Sequence, residues 1–246
     1  MEIVNDRLAV QAHLTTPTDS GFLLLAAEVG GWAGPFALPS RARRRVLDQA
    51  GGLCAHLLRR ADVAEATVFR AALRPPGEGT PLLRRRGIRP ARFDVVVLVR
   101  AESVPAAEAL RAEPVWRKLA GLFDGAARHT RVTAASNAAR IADVDHNADS
   151  WFLFNYFHGD DRETVFDVWQ YTAGWFQRET SLSDSALMQP LPGEFDDYSL
   201  VNHASWPALR TFLPALLLRR SFRSFVLANF AANGVAAQPI IYRRTC

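Results

Sequence analysis

The polar residues that could do chemistry cluster at the end of one aromatic segment. Asn155, Tyr156 and His158 belong to or directly follow the run Trp151–Phe157. A histidine titrates close to neutral pH, so His158 could accept a proton from a substrate. Asn155 and Tyr156 could supply hydrogen bonds in the same pocket. The alternative interpretation is that His158 is a solvated residue at the end of a strand.

A second polar segment, Asp143-Val-Asp-His-Asn-Ala-Asp149, imitates the start of a calcium-binding loop. Ala148 replaces the turn glycine of such a loop, and Phe154 stands where a bidentate glutamate is needed. The segment therefore predicts a linker with Asx turns and no metal site. The sequence also lacks zinc-ligand spacings, a P-loop, a dinucleotide-binding glycine motif and a hydrolase nucleophile motif.

The composition is that of a folded globular protein. Of the 246 residues, 49% are hydrophobic and 22% are charged, which argues against a disordered or fibrous chain. A formal net charge of +4 is too small to imply a nucleic-acid partner. The arginine-rich stretch 84–92 predicts a solvated loop, because Val95–Val99 lacks the aromatic residues of an RNA-binding strand.

Cysteine content and the two longest apolar runs bear on the compartment. Cys54 and Cys246 match neither a disulfide framework nor a metal site, which predicts a reduced, intracellular protein. No secretory signal begins the sequence, and the apolar runs are far shorter than the ~20 residues that span a bilayer. We expect a cytoplasmic protein without a membrane partner.

Two segments of the chain predict the same order of elements, strand-helix-strand-strand-helix-strand. In the second half the predicted elements are 151–157, 162–180, 185–191, 197–205, 207–229 (bent or broken at Pro214) and 236–243. In the first half they are 21–29, 40–60, 65–74, 93–101, 105–127 and 130–136, with 75–92 as a loop. We predict an α+β fold of two tandem ferredoxin-like repeats, residues 15–140 and 148–246, whose antiparallel sheets pair into one intramolecular α/β barrel.

With this element order, the chain resembles the dimeric α/β barrel superfamily, and within it the antibiotic biosynthesis monooxygenase family. The local match is Tyr198-Ser-Leu-Val-Asn-His-Ala-Ser-Trp206, in which an Asn and a Trp four residues apart end a strand and open a helix. The resemblance implies oxygenation of an anthrone or quinol of polyketide type without flavin, haem or metal. In such a reaction the protein positions the substrate, accepts a proton and stabilises an oxyanion.

The same resemblance assigns roles by position. Asn202 would donate a hydrogen bond to the substrate oxygen, and Trp206 would donate from its indole nitrogen or form a wall of the pocket. With His158 they form the candidate catalytic set. The candidate substrate contacts are Tyr198, Asn155, Leu200 and Trp175, the last of which could equally be a packing residue of its helix. Replacing Asn202 or Trp206 by alanine is expected to slow turnover and to leave the fold intact.

Strand alternation predicts which of these side chains share a face. Tyr198, Leu200 and Asn202 should lie on one face and His203 on the other. A structural interpretation competes with the catalytic one, because a buried Asn commonly satisfies backbone groups and a buried Trp commonly packs. The corresponding residues of the first half are Arg100 and Val104, so we expect one site, in the second half.

Two other functions are open. Related barrels bind haem through a single histidine, and His158, His203, His129 or His146 could serve as the axial ligand. Alternatively the protein could bind a small aromatic molecule without catalysis. Because the two repeats pair within one chain, the protein could be a monomer with an internal pseudo-dimer or a homodimer.

Overall fold

The computed structural model describes residues 1–194 and 197–245, so that Cys246 lies outside it. Two units of the predicted order follow one another along the chain. The elements of the first half are β1 (Gly21–Glu28), a small hairpin of β2 (Trp32–Ala33) and β3 (Phe36–Ala37), α1 (Arg41–Leu57), β4 (Val63–Leu73), α2 (Thr80–Arg85), β5 (Val95–Ala101), α3 (Val104–Leu110), α4 (Pro114–Asp124) and β6 (His129–Ala142).

The second half repeats this order after a short linker. Its elements are β7 (Trp151–His158), α5 (Arg162–Thr180), β8 (Ser185–Pro190), β9 (Leu200–Trp206), α6 (Leu209–Leu218), a π-helical turn (Phe222–Leu227), α7 (Ala228–Ala232) and β10 (Ala236–Arg244). Local signals begin the long helices as predicted. Ser40 accepts a hydrogen bond from Arg43 N at 3.3 Å, and Asp161 caps α5 by accepting from Glu163 N and Thr164 N.

The main strands form a closed antiparallel barrel. Each half has the ferredoxin-like order, with β6-β1-β5-β4 in the first and β10-β7-β9-β8 in the second. The halves join edge to edge, because β6 pairs with β8 and β10 pairs with β4. The predicted intramolecular barrel is therefore confirmed, and joining the halves removes the exposed sheet edges that a single repeat would leave.

The core has three layers that follow from strand alternation. Of two neighbouring residues along a strand, one side chain points into the barrel, where Phe69, Phe154 and Tyr242 are fully buried. The alternate residues pack outward against helices α1, α3 and α4 in the first half and against α5, α6 and the π-helical turn in the second. A pocket in either outer layer is therefore bounded by a sheet on one side and by helices on the other.

Two predicted strands differ in length, since 130–136 is observed as β6 (His129–Ala142) and 197–205 as β9 (Leu200–Trp206). Three further elements differ in kind. The predicted helix 105–127 is two helices, α3 and α4, since Arg111–Glu113 form turns between them. Pro214 lies inside α6, and the helix ends instead at Arg219, whose backbone is extended. The predicted loop 75–92 contains the short helix α2, which begins with a proline in its first turn.

The N-terminal residues cross over to the second half and cover α5. Ala12 N donates to Gln170 O at 3.0 Å, and a Cβ at Gly174 would lie 1.8 Å from Val10 O. Only glycine fits at that crossing. No helix in the described residues is both long and apolar enough to cross a membrane.

Candidate active site

A small pocket lies in the outer layer of the second half, between its sheet and helices. We call it the second-half pocket; its cavity volume is about 30 Å³. Its floor is formed by Leu153 and Asn155 of β7, Trp206 of β9 and Ala237, Pro239 and Ile241 of β10. Its other walls are Phe176, Phe212, Leu216, Phe222, Val226, Leu227, Phe230 and the segment Pro75–Gly77 of the first half.

Asn155 is the polar side chain of this lining. Its Oδ1 is buried and has no hydrogen-bond partner among the described residues. In the sheet it lies between Asn202 of β9 and Pro239 of β10. A buried carbonyl oxygen without a donor costs about 1–3 kcal/mol, so this atom is the natural point of attachment for a ligand donor.

Asn202 also faces the helices, but its oxygen is already used. Its Oδ1 accepts from Trp169 Nε1 at 3.0 Å and from Ser185 Oγ at 2.6 Å. These bonds tie β9 to α5 and β8, as the structural interpretation of this residue predicts. Asn202 is the cross-strand neighbour of Asn155, but it does not line the pocket.

Trp206 forms a wall of the pocket. Its Nε1 donates to Thr180 Oγ1 at 3.1 Å, and its ring stacks on Phe212 with centroids 4.5 Å apart. The indole hydrogen-bond donor is thus held by α5. Of the two roles that the resemblance implied for Trp206, the geometry fits the wall.

His158 and Tyr156 lie on the opposite side of the sheet from the pocket. Alternation along β7 directs Leu153, Asn155 and Phe157 outward and Tyr156 and His158 toward the barrel interior. His158 Nδ1 is 2.9 Å from Asp197 O, and burial lowers the pKa of this imidazole below its usual value. The sheet therefore separates this candidate base from Asn155, and no proton passes directly between His158 and a ligand in the pocket.

The remaining predicted contacts are also outside the pocket lining. Tyr198 packs on the barrel side against Tyr156 and donates to Arg89 O at 2.9 Å, because β9 begins only at residue 200 and its alternation does not reach back to 198. Leu200 is fully buried beneath the helices. Trp175 packs within the helix layer and donates to Ser221 Oγ at 3.2 Å.

Several lining residues were not predicted from the sequence. The four phenylalanines of the roof lie on the buried faces of α5, α6, the π-helical turn and α7. Helical periodicity could have found them, since an apolar face must cover a sheet. Pro75–Gly77 carries no such signal, because it reaches the pocket only when the two halves close into a barrel.

The second polar cluster is buried at one end of the barrel interior. His146 of the linker has its Nδ1 2.7 Å from Glu65 Oε2 and its Nε2 2.8 Å from His203 Nε2, and His203 Nδ1 lies 3.0 Å from Leu153 O. Burial lowers the pKa of His203 well below its usual value. Burial alone would raise the pKa of Glu65, but His146 and Arg100 hold it below its usual value.

The linker and the arginine-rich stretch are structural. Asn147 N donates to Asp145 Oδ1 at 2.8 Å, which is the expected Asx turn. Among the described residues, no group of three or more His, Cys, Asp or Glu side chains could hold a metal ion. Arg86 pairs with Asp160 and Arg89 with Glu28, as expected for a loop that contacts acidic groups.

Haem does not fit the second-half pocket. All six histidines lie in the described part of the chain, and none of them lines the pocket. Of the four candidate axial ligands, His146 and His203 bind one another inside the barrel, His158 faces away from the pocket, and His129 stacks on Phe93. The residues therefore supply no axial ligand there.

Comparison with solved structures places the fold. The chain is similar to an anthrone oxidase-like protein with a TM-score of 0.60 and 9% identity over 92% of this chain and 91% of that one. It is similar to a "putative monooxygenase" from Fusobacterium nucleatum (TM-score 0.53, 6% identity, 92% and 95% covered) and to another from Lactobacillus acidophilus (0.50, 7%, 92% and 94%). No protein-family model matches the sequence, and neither does any curated protein.

These structural similarities concern the fold. At identities of 6–9%, what is shared is the architecture of two paired ferredoxin-like units. The predicted α/β barrel fold is thus confirmed.

Proposed function

We propose that this protein binds a flat aromatic molecule carrying a hydroxyl group in the second-half pocket. The observation that carries the proposal is the buried, unpaired Oδ1 of Asn155 in a lining that is otherwise apolar and includes five aromatic side chains. Aromatic walls favour a flat ring, and the amide oxygen accepts a hydrogen bond from a phenolic O–H. A ligand with only acceptor atoms would leave Asn155 unpaired and would bind less tightly.

Binding requires movement of the roof. A cavity of about 30 Å³ accommodates about one water molecule, whereas pockets for small molecules measure about 300–1,000 Å³. The movable element is α6, since it ends at the extended residue Arg219 and is followed by a π-helical turn, a feature frequent at functional sites. Rotation about this junction would lift Phe212 and Leu216 from the sheet.

Binding is tested with a phenol and its methyl ether as a matched pair. We expect wild-type protein to bind 2-naphthol about tenfold more tightly than 2-methoxynaphthalene, the difference that one hydrogen bond of about 1.4 kcal/mol makes. Asn155→Leu should bind both compounds equally, because it removes the acceptor and keeps the volume. Calorimetry provides the constants. Equal affinities for the wild type, or no binding of either compound, would overturn the proposal.

A second candidate function is cofactor-independent oxygenation of that molecule, an anthrone or quinol of polyketide type. It is supported by the local sequence match around Asn202 and Trp206 and by the fold shared with an anthrone oxidase-like protein. The described lining has no carboxylate, histidine or lysine. The substrate must therefore be acidic enough to lose its proton to water. Its anion then reacts with O₂, one oxygen atom forming the new carbonyl and the other leaving as water.

Oxygen uptake with a hydroxyanthrone, whose phenolic O–H can donate to Asn155, separates this function from binding alone. We expect wild-type protein to raise the uptake above the spontaneous rate, and Ala237→Phe, which fills the pocket floor, to abolish that increase. His158→Gln serves as a control on the other side of the sheet and should keep it. An increase that persists in Ala237→Phe and disappears in His158→Gln would move the site into the barrel. An unchanged rate with wild-type protein would leave the protein as a binder.

A further inference from the structure

Helix α6 is apolar on both of its sides. Phe212 and Leu216 face inward as the roof of the pocket, and Leu213 is half-buried against the core, whereas the outer face carries Leu217 and Leu218. The side chains of Leu217 and Leu218 are 46% and 79% exposed. Single exposed leucines are common, but two consecutive ones on the outer face of a helix indicate a contact surface.

Arginines flank these leucines at both ends of the helix. Arg210 precedes them, and Arg219, Arg220 and Arg223 follow, all four exposed to solvent. Arg219 pairs with Glu179. In the described part of the chain, Arg210, Arg220 and Arg223 form no ion pair. Leu217 and Leu218 are the last two residues of α6, so the C-terminal end of its outer face combines an apolar patch with the positive charge of the neighbouring Arg220 and Arg223.

We propose that this outer face of α6 docks on the surface of an anionic lipid bilayer. Leucines inserted at the level of the acyl chains, with arginines at the headgroups, are the pattern of helices that lie in a membrane interface. A second copy of the chain fits less well, because a two-fold contact between two α6 helices would bring arginines against arginines. The surface contact itself is independent of the proposed ligand, and only its connection to the pocket rests on the proposed function.

The position of α6 connects this contact to the pocket. The helix that would touch the bilayer is also the roof above Trp206 and Asn155. Insertion of Leu217 and Leu218 would pull on the segment that must move for a ligand to enter. An apolar aromatic molecule dissolved in the bilayer could then enter the pocket without crossing water.

Vesicle sedimentation tests the contact. We expect the full chain to sediment with phosphatidylcholine vesicles that contain phosphatidylglycerol and to remain in solution with phosphatidylcholine alone. The double variant Leu217→Glu, Leu218→Glu should weaken binding by about tenfold or more, because two buried leucines are lost. Leu58→Glu is the matched control, since Leu58 is 47% exposed on the other half, and it should bind like wild type. Circular dichroism checks that each variant is folded.

The arginines provide an independent arm. Arg220→Glu with Arg223→Glu should reduce binding by about 25-fold, about fivefold for each arginine, and added salt should remove the difference. Arg44→Glu with Arg45→Glu, on the exposed side of α1, is the charge-matched control. The proposal is overturned if the protein ignores anionic vesicles, if only the α1 pair matters, or if Phe36→Glu in the exposed hairpin abolishes binding. It is also overturned if the leucine variant converts a dimer to a monomer in solution, because α6 would then be a contact between copies.

Discussion

The two halves of the barrel share one architecture but differ in the layer between sheet and helices. In the first half the outward residues of β1 are Leu23, Leu25 and Ala27, and Trp116 and Phe123 of α4 fill the space above the sheet. In the second half the outward residues of β7 include Asn155, and the corresponding space holds the pocket.

The halves also differ in the hydrogen bonding of two buried polar groups, the Asp94 carboxylate in the first half and Asn155 Oδ1 in the second. Asp94 of the first half is fully buried but accepts from Val29 N at 2.6 Å and Gly30 N at 2.8 Å and pairs with Arg43. Burial nevertheless raises the pKa of Asp94 above its usual value. Asn155 Oδ1 of the second half has no such partner. We infer that after duplication the second half kept a cavity between its sheet and its helices, whereas the larger clefts of the first half, lined by residues such as Arg44 and Asp48, lie on the exposed side of α1.

The largest expected effect on stability is in the first half. Trp116→Ala should reduce the free energy of unfolding by about 3–5 kcal/mol, because a fully packed indole leaves a cavity that cannot collapse. Urea denaturation measures it, and Trp116→Phe provides a milder variant that stays folded. Ligand affinity of the folded protein should not change, since the pocket is in the other half. A change in ligand affinity would show that the packing of the first half also affects the pocket of the second half.

Asn202→Leu tests whether the polar residue beside the pocket is structural. It removes one acceptor from two buried donors, Trp169 Nε1 and Ser185 Oγ, so we expect a loss of about 2–4 kcal/mol of unfolding free energy. This corrects the expectation that Asn202 can be replaced with the fold intact. Urea denaturation of Asn202→Leu and of Asn155→Leu compares the free energies of unfolding of the two variants. Unchanged stability together with lost oxygen uptake would restore the catalytic role.

The buried cluster of Glu65, His146 and His203 predicts a pH dependence of stability. The pKa of His203 is lower in the folded protein than its ordinary value of 6.5, because of burial. As the pH falls below 6.5, the unfolded chain binds a proton that the folded chain does not, and unfolding becomes easier by up to about 1.4 kcal/mol per pH unit. Glu65, whose folded pKa is below 4.5, adds a further loss below pH 4.5.

Denaturation at a series of pH values measures this effect. His203→Phe should weaken the dependence between pH 6.5 and pH 5 without removing it, because burial also lowers the pKa of His158 and that of His129. His56→Gln, at an exposed position of α1, should leave the dependence unchanged. An unchanged dependence in His203→Phe would assign the proton uptake to other groups.

The smallest effect is expected at Asn155 itself. Asn155→Leu should increase the free energy of unfolding by about 0.5–1 kcal/mol, because it replaces an unpaired buried oxygen by an apolar group of similar volume. Thermal unfolding without ligand measures the gain. A loss of stability would mean that Asn155 is a structural residue like Asn202, and the contrast between the two would disappear.

Much of this protein follows from local patterns in the chain. The apolar spacing of α5 predicted a helix with the same ends as observed, 162–180, and the aromatic run predicted β7 to within one residue. The repeated order of elements was enough to predict two ferredoxin-like units closing into one barrel, because each unit alone would leave an apolar sheet face uncovered.

The face on which a residue lies was predictable only inside a strand. Alternation correctly separated Asn202 from His203, but it failed for Tyr198, which precedes β9. The location of the break near α6 was also wrong, since Pro214 lies inside the helix and the break follows it at Arg219, whose backbone is extended.

The sequence by itself therefore determined the fold, since the fold depends on periodicity and residue type within each segment. Only the tertiary structure decided which polar atoms are available. Trp169 and Ser185 reach Asn202 through the packing of α5 and β8, and Thr180 reaches Trp206 from the end of α5. No residue that the structure describes reaches Asn155 Oδ1. Hydrogen-bond partners distant in sequence are chosen by packing, and for that reason no local pattern contains them.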